Sequence, residues 1–201
     1  MKKSLPIVLF FHSATIGLYA QQTVHKNNYT FEIQNTEGDL NKDQLKDKIV
    51  IEMDVKDETR PLRVQIFLSQ PDKKLQLAVS STQLIESEYP IDKKGKHNGN
   101  PLPMFIIEEG NLKMLTDIND RKSCYEFRYH QNNFELIKIS RVYWNGKNTT
   151  FETEIDLLAQ TQLNFEQELG SDEIFNKRTK KIRITPLPKI QDLSFSDLEK
   201  Y

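Results

Sequence analysis

Short runs in which apolar side chains alternate with other residues recur along most of this chain, and they constrain the fold more than any other feature. Alternation with a period of two places the apolar side chains on one face of a β-strand. The run LRVQIFL, for example, places Leu62, Val64, Ile66 and Leu68 on one face. Pro61 suits the start of this strand, where the missing N–H is tolerated.

Several further runs have the same period, and turn signals separate them. The segment MFIIEEGNLKML predicts two strands around a turn at Glu109–Gly110–Asn111, and the next two strands are expected to meet near Gln131–Asn133. Asn145–Gly146 is a strong hairpin signal because both residues accept positive φ. The other positions that these runs place on a strand face are Tyr29, Phe31, Ile33, Ile49, Ile51, Met53, Val55, Leu75, Leu77, Val79, Phe151, Thr153, Ile155, Leu163 and Phe165.

The end of the chain predicts one more strand and one helical turn. KKIRITPLP predicts a short last strand that Pro186 and Pro188 stop, and Ser194 or Ser196 can cap a final turn of helix. We therefore expect a mainly β (β-rich α+β) fold, an antiparallel meander of about 9–11 short strands with few short helices. No linker divides the chain, so residues 21–201 are expected to form a single β-rich domain.

Residues 1–20 differ from the rest of the chain and have the architecture of a signal peptide. A basic MKK precedes the apolar stretch SLPIVLFFHSATIGLYA, which ends at Ala20. This stretch is short and interrupted for a spanning helix, so export is favoured over a retained anchor or a buried helix. We expect a periplasmic or secreted protein with no membrane span after the signal is cleaved.

Charge and cysteine content exclude some classes of function. The chain has 28 Lys and Arg against 29 Asp and Glu, and this balance argues against a nucleic-acid partner. Its single cysteine, Cys124, cannot form an internal disulfide. A buried small apolar residue is the favoured interpretation of Cys124 over a reactive thiol.

The segment GDLNKDQLKDKIV carries the one pattern that points to an ion. Asp39, Asn41 and Asp43 occupy positions 1, 3 and 5 of a loop, Leu45 lies at position 7 and Asp47 at position 9. Calcium takes six to eight hard oxygen ligands, which carboxylates, amides and backbone carbonyls supply at this spacing. Without a cation the acidic side chains would repel one another.

This segment resembles the calcium loop of FG-GAP and VCBS-type repeats, and it is similar to dockerin and EF-hand loops. The order of the loop and of the following β segments also resembles a group of exported, β-rich proteins of Bacteroidetes-like bacteria. The resemblance implies that Asp39, Asn41, Asp43, the backbone of Leu45 and Asp47 bind calcium. Such loops usually have glycine at position 6, where φ is positive, but this chain has Gln44.

Two other interpretations of the loop stay open. The loop can keep the backbone of a calcium loop without an ion, or it can be a short solvated helix with Asp39 as its N-cap. In such a helix Asp43 would pair with Lys42 or Lys46. If calcium binds, we expect a structural ion of weak affinity, with a Kd of ~10⁻⁴–10⁻³ M.

No motif for catalysis accompanies this loop. His25, His97 and His130 belong to no zinc-binding pattern, and the chain has no nucleophile elbow or phosphate-binding loop. Acidic pairs such as Glu108–Glu109 are most simply surface charge. We therefore do not expect an enzyme.

Three further segments are candidates for a binding surface. Residues 86–103 form a long polar loop that is either an exposed excursion or a binding element. The basic run from Lys177 to Arg183 is expected to be an edge strand that lysines protect. The aromatic residues Tyr125, Phe127, Tyr129, Tyr143 and Trp144 are expected to be mostly core, with Trp144 the most exposed.

From these features we expect an exported, non-catalytic envelope protein that calcium stabilises and that binds a protein or glycan partner. One alternative is a periplasmic inhibitor or immunity-type protein that inserts the 86–103 loop into an enzyme. Another is a hydrolase whose carboxylates meet only in the fold.

Overall fold

Eleven strands in two antiparallel sheets form the computed structural model, which describes residues 27–118 and 120–201. The predicted signal peptide over residues 1–20 and the residue His25 lie outside the described residues. Within each sheet every strand pairs with its neighbour in sequence, so both sheets are meanders. The predicted β-rich antiparallel fold is confirmed.

The first sheet has four strands, in the order β1-β2-β3-β4. They are β1 (Phe31–Gly38), β2 (Asp47–Met53), β3 (Leu62–Ser69) and β4 (Leu75–Ser81). All four apolar positions predicted from LRVQIFL are buried in β3. Leu75 and Leu77 are instead about half exposed, because a β-bulge shifts the β3–β4 register. They pair with Ser69 and Phe67 on the outer face, whereas Val79 pairs with the buried Ile66. Val55 is also exposed, since β2 ends before it.

The second sheet has seven strands, in the order β11-β10-β9-β8-β7-β6-β5. They are β5 (Met104–Glu108), β6 (Asn111–Ile118), β7 (Arg121–His130), β8 (Asn133–Trp144), β9 (Thr149–Asp156), β10 (Thr161–Glu168) and β11 (Ile174–Lys181). The described helices are the 3₁₀ turns η1 (Ile91–Lys93) and η2 (Ile190–Asp192) and the single α-helix α1 (Phe195–Lys200).

The predicted turns of the second sheet are confirmed, and their backbone explains the residues found there. Glu109 and Gly110 have φ of 54° and 76°, and Gln131 and Asn132 have φ of 48° and 60°. Two consecutive residues with positive φ give a turn whose twist matches that of the flanking strands. The β8–β9 connection also turns at Asn145–Gly146, where Gly146 has φ of 77°.

The last strand differs from its prediction. The chain is in strand β11 from Ile174 to Lys181, whereas the prediction placed a strand in KKIRITPLP. Residues 182–188 lie outside any strand. The basic run does contribute to an edge strand, as expected, since β11 is the outermost strand of its sheet and mostly exposed.

One apolar core lies between the two sheets. Its largest fully buried side chains include Tyr125, Phe127 and Phe134 from the second sheet and Ile49 and Leu62 from the first. Burial of a side chain of this size contributes about 1.5–3 kcal/mol. The core therefore depends on both sheets and does not form within either one.

The two sheets meet along β1 and β5. The Gln34 and Thr36 side chains of β1 both donate hydrogen bonds to the Phe105 carbonyl of β5. Gly38, the last residue of β1, lies so close to Ile107 that a Cβ at position 38 would be 2.8 Å from the Ile107 Cγ2 atom. A glycine is required there because the two strands approach each other directly.

Candidate functional site: the acidic loop and its pocket

The acidic loop between β1 and β2 contains no helix, so the helical interpretation is wrong. Residues 40–45 are a series of bends between Gly38 and Asp47, where the two strands end and begin. Gln44 has φ of 69° and Lys42 has φ of 63°. The left-handed turn that calcium loops make at position 6 is therefore present here, and it is formed by glutamine.

Three of the five predicted ligands lie together around this turn. The Asp39 carboxylate accepts hydrogen bonds from the amides of Asp43, at 3.1 Å, and Gln44, at 2.9 Å. The Asn41 amide donates to the Asp43 carboxylate at 2.9 Å, and the other Asp43 oxygen accepts from the Leu45 amide. These contacts wrap the loop around its own carboxylates.

Asp47 has a different environment from the other acidic residues. Its side chain is fully buried, and its two oxygens accept hydrogen bonds from the amides of Leu40, at 2.7 Å, and Ser69, at 2.9 Å. Burial raises the pKa of Asp47, and the hydrogen bonds from these amides lower it in part. Asp47 thus ties the loop to strand β3.

The loop offers the chemical types of ligand that calcium prefers, which are carboxylate, amide and carbonyl oxygens. Their arrangement fits less completely. Within residues 27–118 and 120–201 no three His, Cys, Asp or Glu side chains are grouped to hold a metal ion. Asp47 points to the backbone amides it binds, so a cation here would rely on Asp39, Asn41, Asp43 and the Leu45 carbonyl.

The acidic loop also borders a pocket of about 450 Å³, which we call the loop pocket. Strand β4, the β3–β4 connection and the β7–β8 turn complete its walls. The pocket is lined by Asn41, Asp43, Leu68, Ser69, Gln70, Pro71, Gln76, Leu77, Ala78, Tyr129 and Asn132. These residues include four side-chain amides, three from the first sheet and its loops and one from the β7–β8 turn, together with one aromatic ring, one carboxylate and no Lys, Arg or His.

The β7–β8 turn holds its side of the loop pocket through aromatic packing. The Tyr129 and Phe134 rings lie 5.0 Å apart across the hairpin, where the two residues pair directly. The Tyr129 hydroxyl donates to the Asn132 side-chain oxygen at 3.1 Å. Tyr129 and Asn132 are therefore held in place before any ligand binds.

The rest of the predicted aromatic cluster divides between core and surface. Tyr125 and Phe127 are fully buried, while Tyr143 is 45% and Trp144 58% exposed. The expectation that Trp144 is the most exposed member is confirmed. Its indole N–H donates to the Lys147 carbonyl in the β8–β9 turn.

The 86–103 loop is ordered by its own polar contacts. The Glu86 carboxylate accepts hydrogen bonds from Lys93 and Asn100, and the Asn98 side chain donates to the Ser87 carbonyl. The His97 ring packs edge-on against Tyr89 with their centroids 5.7 Å apart. The segment is a folded excursion, and none of these residues reaches the loop pocket.

Cys124 and His130 lie on strand β7, six residues apart. Cys124 is half-buried, and this burial raises the pKa of its thiol, which favours the less nucleophilic neutral form. The His130 ring lies 3.4 Å from the Glu135 carboxylate. The described contacts do not join the cysteine to the histidine.

The sequence identified only one wall of the loop pocket. Asn41 and Asp43 were predicted as site residues, but nothing in the sequence links them to Gln70, Gln76 or Asn132. These residues come together because the first sheet packs on the hairpin end of the second. The predicted turn near Gln131–Asn133 is the one sequence signal that concerns the far wall.

Comparison of the chain with protein-family models, curated proteins and solved structures found no match. In the described part of the chain, no helix has the length or the apolar character needed to cross a bilayer.

Proposed function

We propose that this protein is an exported, non-catalytic binding module that takes up a neutral glycan in the loop pocket. One observation carries the proposal: the fold brings amides and a carboxylate from both sheets to one cavity beside an aromatic ring. Side-chain amides donate and accept hydrogen bonds, and carboxylates accept them, so together they can pair with sugar hydroxyls. An aromatic ring offers an apolar face to the C–H groups of a sugar.

The charge of the lining favours a neutral glycan over an acidic one. Asp43 is the single charged residue among the lining residues, and no basic side chain is present to pair with an anion. An acidic sugar would therefore meet repulsion without compensation. The Gln70, Gln76 and Asn132 amides give the cavity both donors and acceptors for uncharged hydroxyl groups.

Calcium in the acidic loop is the second part of the proposal. Asp39, Asn41 and Asp43 would supply side-chain oxygens, and Leu45 its carbonyl. The left-handed backbone at Gln44 supports this role. The ion would neutralise the acidic residues and fix the wall of the loop pocket that Asn41 and Asp43 form.

Isothermal titration calorimetry with maltotriose, cellotriose, xylotriose and chitotriose tests the glycan part. We expect at least one of them to bind saturably, and Gln76→Ala to weaken its binding about tenfold, or 1.4 kcal/mol. Gln65→Ala is the matched control, because Gln65 lies on the neighbouring strand β3 and does not line the pocket. Absence of binding, or an equal loss in Gln65→Ala, would contradict the glycan assignment.

Thermal unfolding with calcium and with chelator tests the calcium part separately. At about ten times Kd, calcium should raise the Tm by roughly 3–6 °C. Asp43→Ala should abolish this rise. A wild-type Tm that millimolar calcium leaves unchanged would remove calcium from the proposal, and glycan binding would still be judged by calorimetry.

A further inference from the structure

A second pocket lies on the second sheet, away from the acidic loop. It has a volume of about 380 Å³, and we call it the cationic pocket. Neighbouring strands supply its walls, since Arg141 pairs with Thr153 and Tyr143 with Phe151 in the β8–β9 ladder. The cationic pocket is lined by Arg121, Arg141, Tyr143, Phe151, Thr153, Gln162 and Tyr201.

Arg141 is unusual because its charge is buried without a carboxylate. The residue is only 8% exposed. Its hydrogen bonds within the described residues both leave from Nη2, to the Tyr125 hydroxyl at 2.9 Å and to the Leu198 carbonyl. The buried Nε of Arg141 has no hydrogen-bond partner there. Buried polar groups are normally paired, so this guanidinium retains donor capacity. Its charge faces the Tyr125 ring, with Cζ 5.8 Å from the ring centroid, and no ion pair of the described residues includes it.

Arg121 adds a second positive charge to the same cavity. It is exposed at the start of strand β7. None of the ion pairs within the described residues includes Arg121 or Arg141. The residues that line the cationic pocket include no Asp or Glu. Two guanidinium groups that make no ion pair with the described residues favour an anion in the pocket that both line, and guanidinium matches a carboxylate in shape.

The part of the pocket beside Arg141, on the same face of the sheet, is aromatic. The Tyr143 and Phe151 rings stack with their centroids 6.5 Å apart and their planes 22° apart. Both side chains are 45% exposed, so their faces are open to a ligand. Thr153 and Gln162 add uncharged polar groups beside them. A ligand that matches both the arginines and the aromatic rings has a carboxylate at one end and a flat ring at the other.

We propose that the cationic pocket binds a small organic carboxylate that carries a ring, with Arg121 and Arg141 on the carboxylate and Tyr143 and Phe151 against the ring. Aromatic acids and uronic acids share this chemistry, because either kind of ring packs on an aromatic face. The site is separate from the loop pocket, with which it shares no residue. The inference therefore does not depend on the neutral-glycan proposal.

Calorimetric titration of the protein with benzoate, glucuronate, acetate and inorganic phosphate tests the inference. We expect saturable binding of benzoate or glucuronate, and about a tenfold loss of that binding in Arg121→Gln. Phe151→Ala should also weaken it, while acetate, which lacks a ring, should bind more weakly. Arg183→Gln is the matched control, since Arg183 is exposed and does not line the cationic pocket. Arg141 is left unchanged because its hydrogen bonds hold helix α1.

The two ring acids distinguish the source of the ligand. Tighter binding of benzoate assigns the pocket to aromatic acids, and tighter binding of glucuronate assigns it to uronic acids. The inference is overturned if neither ring acid binds, if phosphate or acetate binds equally well, or if Arg183→Gln causes the same loss as Arg121→Gln.

Discussion

At the scale of single residues, the acidic loop shows how one aspartate differs from its neighbours. Asp39 and Asp43 bind amides within the loop itself, whereas Asp47 is fully buried and binds the amides of Leu40 and Ser69. Asp47 belongs to the core side of the loop, and Asp43 faces the pocket. The stability of the fold therefore depends more on Asp47, and contact with a ligand in the loop pocket depends more on Asp43.

Replacing Asp47 tests this division. Asp47→Ala leaves the amides of Leu40 and Ser69 without an acceptor, which should lower the free energy of unfolding by about 2–4 kcal/mol. Urea denaturation measures the loss. Asp92→Ala, at an exposed aspartate of the 3₁₀ turn η1, should change stability by less than about 0.5 kcal/mol. Equal stability of Asp47→Ala and wild type would contradict the buried anchoring role.

The backbone of Gln44 is strained, since φ of 69° is unfavourable for any residue that has a side chain. In the presence of chelator, Gln44→Gly should raise the free energy of unfolding by about 1 kcal/mol. Gln65→Gly should lower it instead, because Gln65 is within strand β3 and glycine weakens a strand. Urea unfolding of both variants gives the comparison, and a destabilised Gln44→Gly would show that Gln44 makes a contact beyond its backbone turn.

At the scale of elements, helix α1 is short and depends on its ends. Ser194 and Asp197 form a capping box at its N-terminus, and Lys200 donates a hydrogen bond to the Asp197 carboxylate at 2.7 Å. The Tyr125 hydroxyl and Arg141 bind the Leu198 carbonyl within the helix. A six-residue helix is not stable by itself, so these contacts hold it on the second sheet.

The capping box predicts a dependence of α1 on pH. The hydrogen bond from Lys200, followed by those from Ser194, lowers the pKa of Asp197 well below its usual range. A carboxylate with a lowered pKa stabilises the folded state above its unfolded pKa of about 4, and this contribution is lost as pH falls below that value. NMR hydrogen exchange of the α1 amides should therefore show protection decreasing in acid.

Asp197→Asn is the control for this effect. It cannot ionise, so the difference in α1 protection between wild type and Asp197→Asn should be present near neutral pH and disappear in acid. A difference that stays constant over the same pH range would show that the charge of Asp197 does not hold the helix.

At the scale of the whole molecule, the two sheets depend on close contact between β1 and β5. Gly38 permits this contact, since any side chain at position 38 would overlap Ile107. The same packing places the acidic loop, which directly follows β1, at the edge of the loop pocket. The position of the site is thus tied to the way the sheets meet.

Gly38→Ala tests the junction. The added methyl group would lie 2.8 Å from the Ile107 Cγ2 atom, and the resulting overlap should lower stability by about 1–3 kcal/mol in urea denaturation. Ile107→Ala removes the Cγ2 and Cδ1 atoms but keeps the Cβ, 2.9 Å away, so the double variant should recover part of the loss and be more stable than the sum of the single changes predicts. Glu37→Ala, the exposed neighbour on β1, serves as control. Additive losses in the double variant would place the strain elsewhere.

The β-rich class and most turns were predictable because they depend on local patterns. Period-two alternation located β3, and residues that accept positive φ located the turns at Gly110 and Gln131. The prediction was wrong at Leu75 and Leu77, because a β-bulge before Val79 places their side chains on the outer face of the sheet, opposite Ser69 and Phe67. Period-two alternation assumes an unbroken ladder and does not show where a bulge exchanges the two faces.

The sequence by itself determined the antiparallel meander, most of its strands and the acidic loop with its unusual Gln44, because alternation and hairpin turns are encoded within a few residues. Only the tertiary structure decided that the strands divide into two sheets, that Asp47 is buried while Asp43 borders a cavity, and that Asn41 and Asn132 line one pocket. It also placed the unpaired Arg141 beside Arg121. These juxtapositions join residues far apart in the chain, and they follow from how two sheets pack, which no local pattern specifies.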